Sequence, residues 1–588
     1  MPPTRHVLLV DDDPDVSRGV VFMLTQAGYT LHTARNPAEA HQQIQQHPIH
    51  AAILDIRLEG HDEGDDSGLR LAAELPADVP RIIYTGHANP DYIKRALEEK
   101  GRIRAAHRFV SKGEAGAADE LLAVLEELFR ERVAINFELE IHGSLTLPDF
   151  ARRLYLPDTD SDDAPALARD IEEILRRLFH PKNPGDPVVC LITLTSFLPT
   201  SSGSSPARSS ALVLRAQPQF ADGGLGRAQV IKLGPRADIE AEAQHHRAFV
   251  ERLASHCYAQ LEDVAYARRL GGLRYAFIGA TDLAEVIVFG EYYRTHPAEE
   301  SVTCLQRFFS LTYRNILQAK ESALHYDLRR DYADALHLTP DKLRKALDYL
   351  PANALTQAEI QLPGIEFNAI LNPVIWAMTG ATFRPFVWEK VWVAWGHGDL
   401  HSHNLLVDQS GNGWLIDCAR ADKGHILRDF VELETDLKFS LLPTTDLGML
   451  WIFEMGLLKP ARLSEAPAPL ENLPKPDLQK AYSVVSGLRA LAYDLIGTDF
   501  DMREYYQALF YQTLNVVRLK LSQRRVVPPA KDYHPLLAAA LIAERLEAWP
   551  QWPSDRVASA QPERLSRLGK ILQRMRRAFN ASQARRTS

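Results

Sequence analysis

The sequence predicts a multidomain fold, an α/β unit with a five-stranded parallel sheet followed by an α+β region that ends in helices. Three observations carry that prediction. The chain has 588 residues, more than one core accommodates at roughly 150 residues per domain. Residues 6 to about 132 alternate short strand-like and helix-like runs, as a doubly wound sheet requires. From Pro187 a strand-rich stretch gives way to long amphipathic helices. The expected boundaries are 1–132 for the α/β unit, 133–186 for a connector, 187–293 for a sheet lobe, 294–548 for a helical lobe and 549–588 for a tail.

In the first unit HVLLV, TLHTA, AAILDI, RIIYT and HRFVS are the five expected strands. The runs between them, from DVSRGVVFMLTQAG to GAADELLAVLEELFRERV, carry the 3.6-residue period of amphipathic helices. Functional groups in such folds gather beyond the carboxyl ends of the strands. Strand 1 ends in Asp11, Asp12 and Asp13, strand 3 in Asp55 and strand 4 in Thr85, and Lys112 follows strand 5. Carboxylates about 4 Å apart repel by about 4 kcal/mol per pair at an effective dielectric near 20, so a cation is expected among them, and Mg²⁺ is the natural one. With Mg²⁺ and Lys112 neutralising incoming charge, Asp55 would act as a nucleophile toward a phosphoryl group and Thr85 would hydrogen-bond the product.

These residues closely resemble the receiver domain of two-component response regulators, a flavodoxin-like fold, over about 125 residues. The resemblance implies that Asp55 is the phosphoacceptor and that Asp11 and Asp12 are the acidic pair, with Asp12 the more direct Mg²⁺ ligand. It implies that Thr85 and Lys112 sense the phosphoryl group, that Phe109 is the aromatic switch residue and that the Arg57 carbonyl is a further metal ligand. Two departures are visible: Gly113 stands where proline usually follows the lysine, and LEGHDEGDD at 58–66 lengthens the loop after the phosphoacceptor strand.

The connector is expected to be a partly ordered spacer with a strand at INFELEI and helices at TLPDFARRLY and ALARDIEEILRRLFH, closed by PKNPGDP. Beyond it, VVCLITLTSF, SALVLRA, AQVIKLG, LRYAFIGA and AEVIVFGEYY are strand-like, with the helix ADIEAEAQHHRAFVERLAS among them. Lys232 ends a strand and Glu242 follows ten residues later in the helix, the arrangement of a phosphate-clamping lysine held by an ion pair. The loop PTSSGSSPARSS, with Gly203 its one glycine, is the expected cover over the phosphates. HGDLHSHN at 397–404 followed by LID at 415–417 spaces three polar groups as phosphoryl transfer needs them. Asp399 would orient or deprotonate an attacking hydroxyl, and Asn404 and Asp417 would hold Mg²⁺ on the phosphates of ATP or GTP.

Residues 187 to about 545 resemble the protein-kinase-like bilobal fold, in its aminoglycoside and choline phosphotransferase branch. The resemblance implies that Asp399 is the catalytic base, that Asn404 and Asp417 bind metal and that Lys232 and Glu242 form the sheet-lobe ion pair. It also implies that His397 shapes the catalytic loop, that Asp429 is a structural aspartate and that Cys418 replaces the phenylalanine of the protein-kinase DFG triplet.

Composition bounds the partners. Hydrophobic residues make up 46% and charged residues 24%, the globular average, and no apolar run approaches the ~20 residues of a membrane helix. Four cysteines, Cys190, Cys257, Cys304 and Cys418, lie far apart without a CxxC pair. Neither disulfides nor a zinc ribbon is expected, and a reducing cytoplasm fits. A formal net charge of -9 gives no general reason to bind nucleic acid. Only the tail is basic: Pro562–Ser588 carries eight basic residues against Glu563, on an amphipathic helical pattern. No DNA-binding domain is apparent. His401 and His403 lack a third ligand at zinc spacing, Asp408 belongs to a turn, and Trp388, Trp392 and Trp395 are expected in the core.

Two functions follow. In one, a sensor histidine kinase or phosphotransfer protein phosphorylates Asp55 of a cytoplasmic response regulator whose output is a phosphotransferase acting on an acceptor the sequence does not name. In the other, the second domain is a pseudokinase-like nucleotide binder that recruits an effector protein in a multiprotein or conflict system.

Overall fold

The structure, a computed structural model, describes residues 5–59, 65–76, 79–86, 99–100, 103–104, 106–154, 163–197, 211–250, 258–277, 286–346, 356–362, 369–379, 387–467, 470, 475–522, 533–549 and 551–553. The phosphate loop expected at 199–210 and the basic helix expected at 562–588 lie outside the described residues. The chain divides into two compact units, Met1–Ala243 with Leu261–Ala276, and Gln244–Gln260 with Phe277–Ser588.

In the first unit, strands β1 (Arg5–Val10), β2 (Tyr29–Ala34), β3 (Ala51–Leu54), β4 (Arg81–Thr85) and β5 (Arg108–Ser111) form a parallel sheet in the order β2-β1-β3-β4-β5. Helices α1 (Pro14–Gln26), α2 (Pro37–Gln46) and α3 (Ser67–Glu74) follow β1, β2 and β3 in the chain, and α4 (Ala117–Glu131) follows β5. Successive side chains of β1 enter opposite cores: Val7 and Leu9 join Leu121 and Leu125, whereas Leu8 and Val10 join Leu69 and Ala72. That two-sided burial is why the strands are continuous apolar runs. Asp13 caps α1 by accepting from the Asp15 and Val16 amides, and Asn36 caps α2 through the Glu39 amide, each followed by proline.

The segment expected to be a spacer is part of this unit. Strand β6 (Glu140–Gly143) lies parallel to β7 (Val189–Ser196) at the edge of a second sheet, and helices α5 (Leu147–Ala151) and α6 (Ala164–Leu178) fill its core. With β8 (Leu212–Phe220), β9 (Gln229–Pro235), β10 (Ala259–Tyr266) and β11 (Leu270–Phe277), the order is β10-β11-β9-β8-β7-β6. Strand β6 begins later than INFELEI suggested. Arg176 Nη1 donates to the carbonyls of Asn136, Phe137 and Leu139, and Asn136 Nδ2 donates to those of Phe179 and Val189, so side chains meet the hydrogen-bonding groups that a strand would use. The α/β sheet is tied to α6 by a buried pair, His50 Nε2 with Glu173 Oε2 at 3.1 Å, and Arg268 joins Asp170 to the Gln45 carbonyl. The His50 and Arg177 partners overcome burial and hold the Glu173 carboxyl down at about 2.

Helix α7 (Arg236–Val250) leads toward the second unit. There AEVIVFGEYY corrects its strand-like expectation: only Ile287–Val288 is extended, as β12, and Phe289–Thr295 is helix α8. Phe289, Tyr292 and Tyr293 fall at i, i+3 and i+4 and bury one helical face, a period that overrides aromatic strand propensity. Helix α9 (Ala298–Thr312) follows. A three-stranded sheet is ordered β13 (Glu321–Asp327), β14 (Val387–Gly396) and β17 (Asp422–His425), with the hairpin of β15 (Leu405–Val407) and β16 (Gly413–Leu415) between β14 and β17 in sequence. Asp408 turns that hairpin by accepting from Ser410 and Asn412. The helical part comprises α10 (Arg428–Asp436), continued by a π-helical turn at Leu437–Leu441, then α11 (Leu447–Leu457), α12 (Pro476–Ile496), α13 (Met502–Ser522) and α14 (His534–Glu547). Helix α14 is buried on every side from His534 to Leu546. The three tryptophans are half-buried against the same core. No described helix is long and apolar enough to cross a membrane.

Candidate functional site

The parallel sheet places Asp11, Asp12 and Asp55 just past the ends of the adjacent strands β1 and β3, and one ligand oxygen from each lies within 4.8 Å of the others. Among the described residues this is the one group of three or more histidine, cysteine or acidic side chains so clustered. Lys112 Nζ stands 2.6 Å from Asp11 Oδ2 and 2.5 Å from Asp55 Oδ2. Its backbone N–H donates to the carbonyl of Thr85. Burial raises the Asp11 carboxyl above its usual range, against the pull of Lys112; burial works to lower the Lys112 ammonium, but Asp55 and Asp11 raise it. Asp55 Oδ1 accepts from the Ile56 amide at 2.6 Å.

Three carboxylates against one ammonium leave two negative charges, which a divalent cation with oxygen ligands would balance. Backbone approaches closely here. A Cβ on Gly68 would lie 1.7 Å from the Asp55 carbonyl oxygen, so only glycine fits. Thr85 is fully buried, Phe109 is half-buried on β5 beside the α3-side core, and Arg57 lies in the loop two residues after Asp55.

Lys232 on β9 and Glu242 on α7 form a nearly buried ion pair, Nζ to Oε2 2.8 Å, and Tyr275 donates its hydroxyl to Glu242 Oε1 at 3.0 Å. The carboxylate therefore has Tyr275 as a partner besides Lys232.

In the second unit the loop His397–Asn404 is fixed mainly through its backbone. Asp429 Oδ2 accepts from the His397 amide at 2.7 Å and Oδ1 from the Gly398 amide at 2.9 Å, with the Tyr313 hydroxyl also donating to Oδ2. His397 Nε2 meets the Ile416 carbonyl at 2.9 Å, which sets the loop against the residue before Asp417. Asn404 Nδ2 donates to the Asp399 carbonyl at 2.9 Å, and the Ile416 amide to the Asn404 carbonyl at 3.1 Å. Because Leu405 pairs with Leu415, Asn404 and Asp417 leave the same end of the β15–β16 hairpin. Asp417 has φ 63°, the left-handed conformation that aspartate tolerates better than most residues. Gly398 is also left-handed, and a Cβ there would meet the Arg420 carbonyl oxygen at 2.2 Å.

Sequence reasoning missed Arg420, whose Nη1 lies 3.4 Å from Asp399 Oδ1, and the carboxylates Glu432 and Asp436 beneath the loop. A signal for the last two existed: with Asp429 they recur at i, i+3 and i+7 along α10. Cys418 is buried. His401 and His403 stay within the loop, the His403 amide donating to His401 Nδ1.

Residues 7–126 match the response regulator receiver domain. The response regulator receiver protein CpdR of Brucella abortus is 32% identical over 91 residues, which are 15% of this chain and 74% of that protein. The chain belongs to the response regulator receiver family. Its receiver domain is also similar to the nitrogen assimilation regulatory protein NtrX of Azorhizobium caulinodans, 29% identical over 144 residues, 24% of this chain and 30% of that regulator. The chain thus spans less than a third of the first curated relatives it matches. A solved CheY-like receiver from Methanospirillum hungatei JF-1 is 22% identical, covering 22% of this chain and 97% of that one with a TM-score of 0.19. Beyond the receiver, residues 305–438 match the phosphotransferase enzyme family and residues 382–516 match ternary complex associated domain 9. The chain therefore joins a receiver to a domain of phosphotransferase type.

Proposed function

We propose that the protein is a cytoplasmic response regulator that accepts a phosphoryl group on Asp55 and passes the signal to a Mg²⁺-nucleotide-dependent phosphotransferase domain. The observation that carries this reading is Lys112 bridging Asp11 and Asp55 beside the three-carboxylate cluster. Bound among Asp11, Asp12 and Asp55, with the Arg57 carbonyl, Mg²⁺ would neutralise charge on the incoming phosphoryl group. An oxygen of Asp55 bonds to phosphorus as the donor's bond to phosphorus breaks and its electron pair leaves with the donor, a histidine kinase or phosphotransfer protein. Lys112 and Thr85 then hold the acyl phosphate, and Phe109 turns inward.

Lys232, held by Glu242, would clamp the α and β phosphates of ATP or GTP. Asp399 takes the proton of an acceptor hydroxyl as its oxygen bonds to the γ phosphorus, and the nucleoside diphosphate departs. Asn404 and Asp417 would hold the metal ions. The test pairs two substitutions. Asp55→Asn is expected to abolish receiver phosphorylation by an acyl phosphate, and Asp399→Asn to abolish nucleotide turnover while a Mg²⁺ATP thermal shift persists. Turnover unchanged in Asp399→Asn sinks the catalytic half.

The ternary complex associated match over residues 382–516 favours a second reading, in which the same domain binds nucleotide and recruits a partner without transfer. Its mark is a Mg²⁺ATP thermal shift in a wild-type protein that shows no turnover.

A further inference from the structure

Helix α10 faces the loop His397–Asn404 with a carboxylate on each of three successive turns. Asp429 holds the His397 and Gly398 amides, Glu432 Oε2 accepts from the Leu400 amide at 3.1 Å, and Asp436 Oδ2 accepts from the Ser402 amide at 2.8 Å. All three carboxylates are buried. Leu400 follows Asp399 directly, so the amide gripped by Glu432 is that of the peptide bond whose carbonyl belongs to Asp399, and the same carbonyl receives Asn404 Nδ2. That peptide plane is fixed from both of its polar sides. Glu432 is itself anchored on its other oxygen by Gln512 Nε2 of α13, at 3.1 Å.

A single structural aspartate would fix only the entrance of the loop. Three carboxylates spaced 3 and 4 residues apart on a helix, at a rise of about 1.5 Å per residue, reach amides spread along the loop from His397 to Ser402. The charge on this face is otherwise uneconomical, because a buried carboxylate without a cation costs several kcal/mol unless it is hydrogen-bonded or neutral. Glu432 has no cation within salt-bridge reach among the described residues, and burial with the neighbouring Asp399 and Asp429 pushes its carboxyl up to about 8. It serves the loop as a hydrogen-bond acceptor.

From this geometry we infer that Glu432, seconded by Asp436, is a positioning residue that sets the orientation of Asp399 by holding the Leu400 and Ser402 amides. The inference rests on the reading of Asp399 as the reactive aspartate, and it acts through backbone rather than through contact with substrate.

The full-length protein tests it with two readouts. Glu432→Leu removes the acceptor at similar volume, whereas Glu432→Gln keeps a carbonyl oxygen. In Glu432→Leu, kcat for nucleotide turnover is expected to fall about tenfold or more with the nucleotide KM unchanged, because misaligning a reacting group by even ~1 Å is costly. Amide exchange in peptides spanning 397–404 is expected to quicken in the same variant. Glu432→Gln is expected to restore both. Wild-type exchange and kcat in folded Glu432→Leu overturn the inference, as does a Gln variant that fails as badly as Leu. Should Glu432→Leu not fold, Asp436→Leu with Asp436→Asn as its rescue gives the same comparison on the Ser402 amide. A wild-type protein with no turnover defeats the catalytic reading alone, and the exchange readout still decides whether Glu432 holds the loop.

Discussion

Lys112 Nζ lies 2.5 Å from Asp55 Oδ2 and, on its other side, 2.6 Å from Asp11. One ammonium thus serves two nearly buried carboxylates on different strands. Replacing it with Met leaves both without a cation, a change that costs about 3 to 5 kcal/mol when a buried pair is broken. Added Mg²⁺ is expected to recover most of that loss, since an ion binding only the folded state stabilises by mass action. Thermal denaturation of Lys112→Met with and without Mg²⁺ measures it. Equal, small Mg²⁺ effects on wild type and variant rule out a divalent site among Asp11, Asp12 and Asp55.

Lys232 and Glu242 give a second buried pair, one whose carboxylate keeps Tyr275 when the lysine is removed. Lys232→Met is therefore expected to cost about 1 to 3 kcal/mol, less than an unaccompanied charge, while raising the nucleotide KM. A variant with wild-type KM shows that the lysine touches no phosphate.

Acid should weaken the receiver from its base. His6 Nδ1 and His32 Nε2 are 2.8 Å apart, His32 stacks on His47, and burial followed by the neighbouring histidines lowers His6 and His32 to about 4. An unfolded histidine takes up its proton near 6.5, so the unfolded chain binds more protons between about 6.5 and 4. The stability these groups contribute is present above pH 6.5 and lost as pH falls to 4. Denaturation midpoints across that window are expected to drop, and less steeply in His32→Asn; an equally steep variant excludes the cluster as the cause.

Glu432 gives the opposite trend in the second unit. The folded state keeps its proton up to about pH 8, whereas the ordinary carboxyl releases it near 4.5. The folded state then binds more protons between those values, and stability from this group falls with rising pH, by up to about 1.4 kcal/mol per pH unit. Glu432→Gln carries no titratable proton and is expected to flatten the slope. Unchanged slopes would show that Glu432 is ionised at neutral pH.

Much of the receiver was legible because its signals are local. Each strand is a continuous apolar run, and the acids, Thr85 and Lys112 sit at strand ends where topology gathers them. Lys232 and Glu242 were legible for the same reason, a strand end and the next helix. Strand β6 was not, because Arg176 and Asn136, far apart in sequence, occupy the backbone groups that INFELEI offers. Glu432 and Asp436 looked like an ordinary charged helix face, since a sequence does not say whether a carboxylate meets water or a neighbouring loop's amides. Arg420 escaped notice because it pairs with Asp399 across a fold-dependent turn.

Strand β6 bears on how the chain can be divided. It leaves the receiver and pairs with β7, so a fragment cut at residue 187 would lose a neighbour that its own sheet was built to have. Such a fragment would present a bare strand edge and the apolar surface that α6 covers, both invitations to self-association. Severing the halves therefore creates a new sticky surface, and activity measured on an isolated second half would report that damage together with any release from control.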